Sequence, residues 1–221
     1  MTIRRLKTRE VYRNPWMAVR EDEIERNNGT RGIYGVVEKH DSAIIIPIEG
    51  SNVVLVEQFR YPISERSVEF PQGSLEKDLE PIEIARRELR EETGIEAGSL
   101  AYLGEVIIAI GYSGQKTHAF VAKQLQHGPS SPDVEEHDLR VLQVSVAAFE
   151  QLISENKIKD AQTLAAWTLY KAKFAAGATL SNPGRPAQSP FKRLKAPASK
   201  SASSVAAQLV PAAPGTHSCV G

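Results

Sequence analysis

The 221-residue sequence has a single cysteine, Cys219, two residues from its end. No internal disulfide can form within it, and a reducing cytoplasm is the expected setting. It lacks any apolar run near the roughly 20 residues of a membrane helix. Its first segment, MTIRRLKTREVYRNPW, lacks the apolar core of a signal peptide. Net charge is missing too, because 27 basic and 27 acidic residues cancel. Overall charge therefore gives no reason to expect a nucleic-acid or membrane partner. Internal repeats are absent, and no segment has room for an added helix-turn-helix module, which argues against a transcriptional regulator. What remains is the balance of a soluble globular protein, 41% apolar and 24% charged. A chain of this length buries a sizeable core without metal or disulfide support.

The zero charge hides an asymmetry. Residues 176–221 carry Arg185, Lys192, Arg193, Lys195 and Lys200 but no acid, so residues 1–175 are acidic by the same amount. From about Gly177 the sequence becomes Ala, Pro, Ser and Lys with little periodicity. Composition predicts a disordered tail there.

Residues 1–72 read as strands. Ala18–Ile24 precedes the turn Asn27-Asn28-Gly29-Thr30, and Gly32–Val37 is short and β-rich. Ser42–Ile48 and Asn52–Gln58 are apolar runs joined by Glu49-Gly50-Ser51, a hairpin signal. Pro62 and Pro71 bracket a connection. Residues 81–93, PIEIARRELREET, predict the clearest helix, with Pro81 suited to its first position and Gly94 to the position past its end. Leu103–Ile110, His118–Ala122 and Leu139–Val144 read as strands. Two helices follow near Val146–Glu155 and Ala161–Phe174, with Asp160 a predicted N-cap. Strands, one helix, strands and terminal helices predict an α+β fold, a mixed sheet with helices packed on it.

The chemistry sits on the Pro81–Thr93 helix. At 100° per residue, Glu88, Glu91 and Glu92 fall within about a 100° arc. Ile82, Ala85 and Leu89 form the neighbouring apolar stripe, expected to face a core. Three carboxylates near a helix C-terminus repel one another and oppose the dipole. A divalent cation would resolve both conflicts, and hard oxygen ligands select Mg²⁺ or Mn²⁺ over zinc. The alternative is a solvated, salt-bridged face, supported by Arg86, Arg87, Arg90 and pairs such as Glu83–Arg87.

The surrounding segment, GSLEKDLEPIEIARRELREETGI from Gly73 to Ile95, decides between them. It resembles the Nudix box, G-x5-E-x7-R-E-U-x-E-E-x-G-U with U aliphatic, and Gly73, Arg87, Glu88, Leu89, Glu91, Glu92, Gly94 and Ile95 fall in register. Chance agreement is about one in ten million per window at ordinary residue frequencies. One position departs: Leu79 stands where the box has its first Glu, with Glu80 next to it. Glu80 either substitutes for that Glu or caps the helix. The resemblance implies an α/β/α sandwich, the Nudix fold, with a mixed β-sheet between helices. It also implies Glu88, Glu92 and Glu91 as ligands of two or more Mg²⁺ or Mn²⁺ ions, the backbone carbonyl of Gln72 as a further ligand, and Arg87 as the residue that orients the glutamates.

From about Arg9 to Tyr170 the chain is similar to the ADP-ribose pyrophosphatase branch. The segments that carry the likeness are Val56–Pro62 (VEQFRYP), Glu69–Gly73 (EFPQG), Gly111–Gln115 (GYSGQ) and Ile158–Ala166 (IKDAQTLAA). The likeness implies that Arg60 contacts substrate phosphates and that Glu69 holds the terminal ribose or the site loop. It places the general base in the loop Ser130–Asp138, with Glu136 first, then Glu135, and Asp133 a third candidate. His118 and His137 read as a strand residue and a loop residue rather than catalysts. The substrate it implies is ADP-ribose, split to AMP and ribose 5-phosphate. Other nucleotide sugars are an alternative, and so are diadenosine polyphosphates, which a tyrosine at Tyr112, near the spacing where the branch has proline, would suit. A nucleotide-binding module that no longer catalyses is the alternative of another class. Tyr12, Trp16 and Tyr34 are the aromatics on which adenine could stack. The branch implies a homodimer exchanging N-terminal strands. The expected layout is an N-terminal β-region at 1–40 for dimerisation, a Nudix domain at 41–175 and the tail at 176–221.

Overall fold

The alternating and fully apolar runs resolve into two separate sheets in the computed structural model, which describes residues 3–75, 79–129 and 138–174. The tail from 176 onward and the loop residues Asp133, Glu135, Glu136 and His137 lie outside the described residues. Strand β1 (Ile3–Arg13) pairs antiparallel with β2 (Ala18–Arg26), and β2 pairs with β3 (Arg31–Glu38), giving a three-stranded N-terminal antiparallel sheet. The predicted turn between β2 and β3 forms as expected. Gly29 takes φ 79°, and the Asn28 side chain accepts the Thr30 N–H at 3.0 Å.

The second sheet has seven strands. Five lie in the order β10 (Arg140–Ser145), β5 (Asn52–Arg60), β4 (Ser42–Glu49), β9 (Lys116–His127), β8 (Ile95–Ile107). Strand β6 (Glu65–Glu69) adds to β5 and β7 (Gln72–Ser74) adds to β4. The β4–β9 pairing is parallel and the rest are antiparallel, so the sheet is mixed.

Side chains alternate across this sheet with the period of two that a strand imposes. Ile44, Ile46, Val53, Leu55, Ala119 and Val121 face one side, where helices α2 (Val146–Ser154) and α3 (Ala161–Phe174) contribute Phe149, Ala166 and Trp167. Ala43, Ile45, Val54, Phe120 and Ala122 face the other, against Ile84, Ala85 and Leu89 of α1 (Pro81–Thr93). Helices therefore cover both faces, which is the α/β/α sandwich.

Several boundaries differ from the sequence reading. The region between Pro62 and Pro71 is not a plain connection: a 3₁₀ turn at Tyr61–Ile63 leads into β6. Its sequence, Glu65-Arg66-Ser67-Val68-Glu69, has no apolar period, and the strand exists because β5 offers an open edge. Strand β8 begins at Ile95, directly after α1, and ends at Ile107 rather than Ile110. Helix α1 buries Ile84, Ala85 and Leu89, whereas Ile82 is exposed. Position 82 shares the rotation of Ala85 and Leu89 but lies in the first turn, one turn before Ala85, where the buried stretch has not begun. Asp160 caps α3 as expected, its Oδ2 accepting the Thr163 N–H at 2.8 Å.

Candidate active site

Helix α1 starts and stops where its local chemistry directs. Pro81 occupies the first turn, and the Glu83 carboxylate accepts the Glu80 N–H at 3.0 Å, half of a capping box. Of the two roles open to Glu80, the structure gives it the N-cap. Gly94 ends the helix in the left-handed region at φ 71°, its N–H returning to the Arg90 carbonyl.

Burial of Ile84, Ala85 and Leu89 fixes the helix's rotation, and that rotation carries Glu92 inward, because it follows Leu89 by three residues and Ala85 by seven. Glu92 is 0% exposed. An ionised carboxylate inside a protein is costly unless something compensates it. The Gln72 N–H donates to Glu92 Oε2 at 3.2 Å. Strand β7 directs that donor. Ile45 N–H bonds the Pro71 carbonyl and Leu75 N–H bonds the Asp41 carbonyl, so odd-numbered residues there face β4. Gln72 therefore turns its N–H and its carbonyl away from β4, to the side where Glu92 lies.

Gly73 explains the glycine of the box. A Cβ built there would sit 2.1 Å from Glu88 Cδ, so the Glu88 carboxylate occupies the space a side chain would need. Arg87 stands between the other two acids, 3.3 Å from Glu88 and 3.5 Å from Glu91. Glu88, Glu91 and Glu92 thus share one face, as expected. Among the described residues no three metal-binding side chains converge on one point.

Beside this face opens a cavity of about 680 Å³, lined in part by Arg60, Ser67, Glu69, Gln72, Gly73, Asp160 and Gln162. Arg60 ends β5 and Glu69 ends β6. Arg60 Nε donates to Glu69 Oε1 at 2.9 Å, and Arg60 Nη2 donates to Glu69 Oε2, a bidentate pair. The Gln72 side chain donates to Glu69 Oε2 at 2.7 Å. Burial alone would push the Glu69 carboxyl up. The hydrogen bond and charge of Arg60, with Ser67 and Gln72, outweigh it and hold Glu69 below its ordinary value. Arg60 is held above its own, mainly by the Glu69 hydrogen bond, against burial and with help from the charges of Glu69, Glu92 and Asp160. Arg60 lines the cavity together with Lys39 and Lys159. Glu69 holds Arg60 and Gln72.

The sequence reading missed the polar cluster behind this cavity. Ser42, Thr117 and Gln162 come from β4, β9 and α3, and their side-chain oxygens lie 2.6–3.2 Å apart. Their sequence separations, 75 and 45 residues, left no local pattern to find. His118 lies on β9, as expected of a strand residue. Tyr12, Trp16 and Tyr34 lie in or beside the N-terminal sheet and do not line the cavity, nor does Tyr112.

Comparisons with known proteins agree with this geometry. Residues 3–37 match the nucleoside diphosphate sugar hydrolase N-terminal domain, and residues 38–167 match the NUDIX domain. The chain is 29% identical to a methanol dehydrogenase activator of Bacillus methanolicus over 73% of this chain and 88% of that protein. It is 30% identical to an ADP-ribose pyrophosphatase of Bacillus subtilis (strain 168) over 64% of this chain and 78% of that one. The solved structure of an ADP compounds hydrolase shares the fold with a TM-score of 0.73 at 22% identity, over 80% of this chain and 96% of its own. With the NUDIX domain spanning more than half of its length, the chain belongs to the Nudix hydrolase family.

Proposed function

We propose that this enzyme hydrolyses the diphosphate bond of a nucleoside diphosphate sugar, with ADP-ribose, giving AMP and ribose 5-phosphate, as the leading substrate. The observation that carries the reading is a fully buried Glu92 and a Glu88 carboxylate seated over Gly73, both beside a cavity lined by the cations Arg60, Lys39 and Lys159. A buried acid is expensive to keep, and a divalent cation shared with a diphosphate is what repays it. The donors fit such an ion: carboxylate oxygens of Glu88, Glu91 and Glu92 with the carbonyl of Gln72, all hard ligands suited to Mg²⁺ or Mn²⁺. When bound, two or more such ions would neutralise the diphosphate and lower the pKa of an attacking water.

The chain's own residues do the rest. Arg60, fixed by its two bonds to Glu69, presents its remaining N–H groups to the phosphates. Glu69 serves Arg60 and Gln72, a positioning role in place of a contact to the ribose. Arg87, between Glu88 and Glu91, keeps two like charges apart until substrate arrives. Glu136, then Glu135, is the proposed general base, a role that requires reach to the attacking water. Tyr112 is not among the residues that line the cavity, which favours a sugar over a second nucleoside.

Residues 1–40 are assigned as the dimerisation region, residues 41–175 as the catalytic domain and 176–221 as the tail. Support for a homodimer comes from Val11, Tyr12, Trp16 and Ile33, all exposed on or beside the N-terminal sheet. The lack of paired cysteines supports a cytoplasmic setting, and no helix among the described residues is long and apolar enough to cross a membrane.

The test incubates the protein with Mg²⁺ and, separately, ADP-ribose, GDP-mannose and diadenosine polyphosphates, and resolves the products by chromatography. AMP and ribose 5-phosphate from ADP-ribose are the expected products. Cleavage of diadenosine polyphosphates alone would overturn the substrate assignment. Metal-dependent binding without turnover of any would leave a non-catalytic nucleotide module.

A further inference from the structure

The first turn of α3 brings two polar groups to the cavity that the reaction above does not use. Asp160 spends Oδ2 on its cap, accepting the Thr163 N–H at 2.8 Å. Its Oδ1 makes no hydrogen bond among the described residues, and Asp160 lines the cavity. Gln162 lines the same cavity from two residues further on. Its Oε1 accepts from Thr117 Oγ1 at 2.6 Å and from Ser42 Oγ at 3.2 Å. Those hydroxyls are buried and 2.8 Å apart, so each needs an acceptor for its proton within the cluster. Gln162 Oε1 is that acceptor. With the oxygen pinned from behind, the amide plane is fixed, and Nε2 keeps two N–H donors that make no hydrogen bond among the described residues.

A carboxylate acceptor and an amide donor therefore sit on one helical turn beside Arg60. A diphosphate does not match that pair, because it offers acceptors and no donors, and Asp160 would repel it. Adjacent hydroxyls of a sugar ring match it, since each hydroxyl both donates and accepts. Arg60 lines the same cavity as Asp160 and Gln162, so phosphates at Arg60 would leave the attached sugar within reach of the α3 turn.

We propose that Asp160 and Gln162 form a hydroxyl-binding subsite that recognises the sugar of the nucleoside diphosphate sugar, and so determine specificity for a sugar over a simple ester. The inference rests on the function proposed above. Asp160 Oδ1 accepts from one ring hydroxyl, Gln162 Nε2 donates to a neighbouring one, and Ser42 and Thr117 act through Gln162 by holding its oxygen.

The test measures equilibrium binding by calorimetry on the full chain, with a chelator present so that turnover is blocked. The probes are ADP-ribose and the methyl ester of ADP, which keeps the nucleoside and diphosphate but has no sugar on the second phosphate. Asp160→Asn keeps an oxygen to cap α3, and Gln162→Met keeps the volume but has no N–H donor. Each is expected to weaken ADP-ribose binding about tenfold and to leave the methyl ester within about twofold, the loss of one good hydrogen bond. Asp160→Asn should melt with the wild type, so a fold defect in Gln162→Met would not confuse the result. Equal weakening for both probes, or none for either, overturns the subsite, and so does a wild type that binds the two equally. AMP release from ADP-ribose with an unmoved binding ratio would sink the subsite and leave the proposed function standing. A ratio moved as expected, with no turnover when Mg²⁺ is restored, would do the reverse.

Discussion

Strands β4 and β5 are buried on both faces, from Ala43 to Ile46 and from Val53 to Val56, while β1, eleven residues long, has only Leu6 even half-buried. The two sheets are held by different forces. The seven-stranded sheet lies between helices, and burial of apolar area stabilises it at about 25 cal/mol per Å². In the N-terminal sheet, charged rows face each other across the strands: Arg4 with Glu25 at 2.9 Å, Arg9 with Glu21 at 3.1 Å, Lys7 with Glu23 at 3.9 Å. Exposed pairs of this kind contribute little. The difference teaches where precision lies. Chemistry is placed where the core fixes the backbone, and the N-terminal sheet is free to serve as a surface.

The largest effect expected is therefore in the core. Phe149 packs at 5.0 Å between ring centroids on Phe70 and at 5.1 Å, edge-on, against Trp167. Phe149→Ala should cost about 3–5 kcal/mol by chemical denaturation. A loss under about 1 kcal/mol would mean that this face collapses readily and does not set the position of α3.

Next is the site itself. Glu92→Gln should lower turnover of the preferred nucleoside diphosphate sugar by about 10²–10³-fold, the scale of removing one preorganised electrostatic group. Its thermal stability should stay level or rise, because a neutral amide is cheaper to bury than a carboxylate. A fall in melting temperature matching the fall in rate would make Glu92 a structural acid and break the contrast between the core that supports and the acid that works.

Legibility followed the same division. The α1 helix, its caps and its acid face were readable because everything that determines them lies within fifteen residues. The β4–β5 hairpin was readable because burial on both faces leaves a continuous apolar run. Strands β6 and β7 were not, since they exist to pair with an edge supplied from elsewhere in the chain. Ile82 was placed on the buried stripe because period alone does not say where the core begins, and Ile84 takes that place. The box glutamates and Arg60 were named from pattern. The Ser42–Thr117–Gln162 cluster is a product of topology, in which a parallel β4–β9 pairing brings residues 75 apart to one layer.

The Arg60–Glu69 pair lies between the two extremes, with Glu69 only 3% exposed and Arg60 partly open. Arg60→Ala leaves a buried carboxylate without its cation and should destabilise by about 1–3 kcal/mol at neutral pH, below the value for a fully buried pair because Arg60 is half in solvent. The pH dependence has a definite sign. The wild-type Glu69 value is depressed, so its contribution is present above the unfolded carboxyl value and is lost as pH falls through the folded one. In the variant only the Ser67 and Gln72 hydrogen bonds oppose burial, and protonation on acidification relieves the penalty. The gap between the two proteins should narrow as pH drops through the carboxylate range, as read by melts at a series of pH values. A constant gap would assign the loss to packing of the arginine stem.

The smallest effect is expected in the N-terminal sheet, and it decides whether that sheet is exposed in solution. Arg9 and Glu21 pair at 3.1 Å, with Arg9 largely in water and Glu21 partly so. Holding two long side chains together loses rotamer freedom, and salt screens what attraction remains. Arg9→Ala should therefore shift the melting temperature by less than about 2 °C, and added salt should change that little. A shift comparable to that of Phe149→Ala would contradict exposure of β1. It would mean that another surface covers the strand, and light scattering on the wild type and on Val11→Asp would identify it. A dimeric mass lost in Val11→Asp would make a second copy of this chain the cover, and the N-terminal sheet would then be stabilised by burial as the larger sheet is.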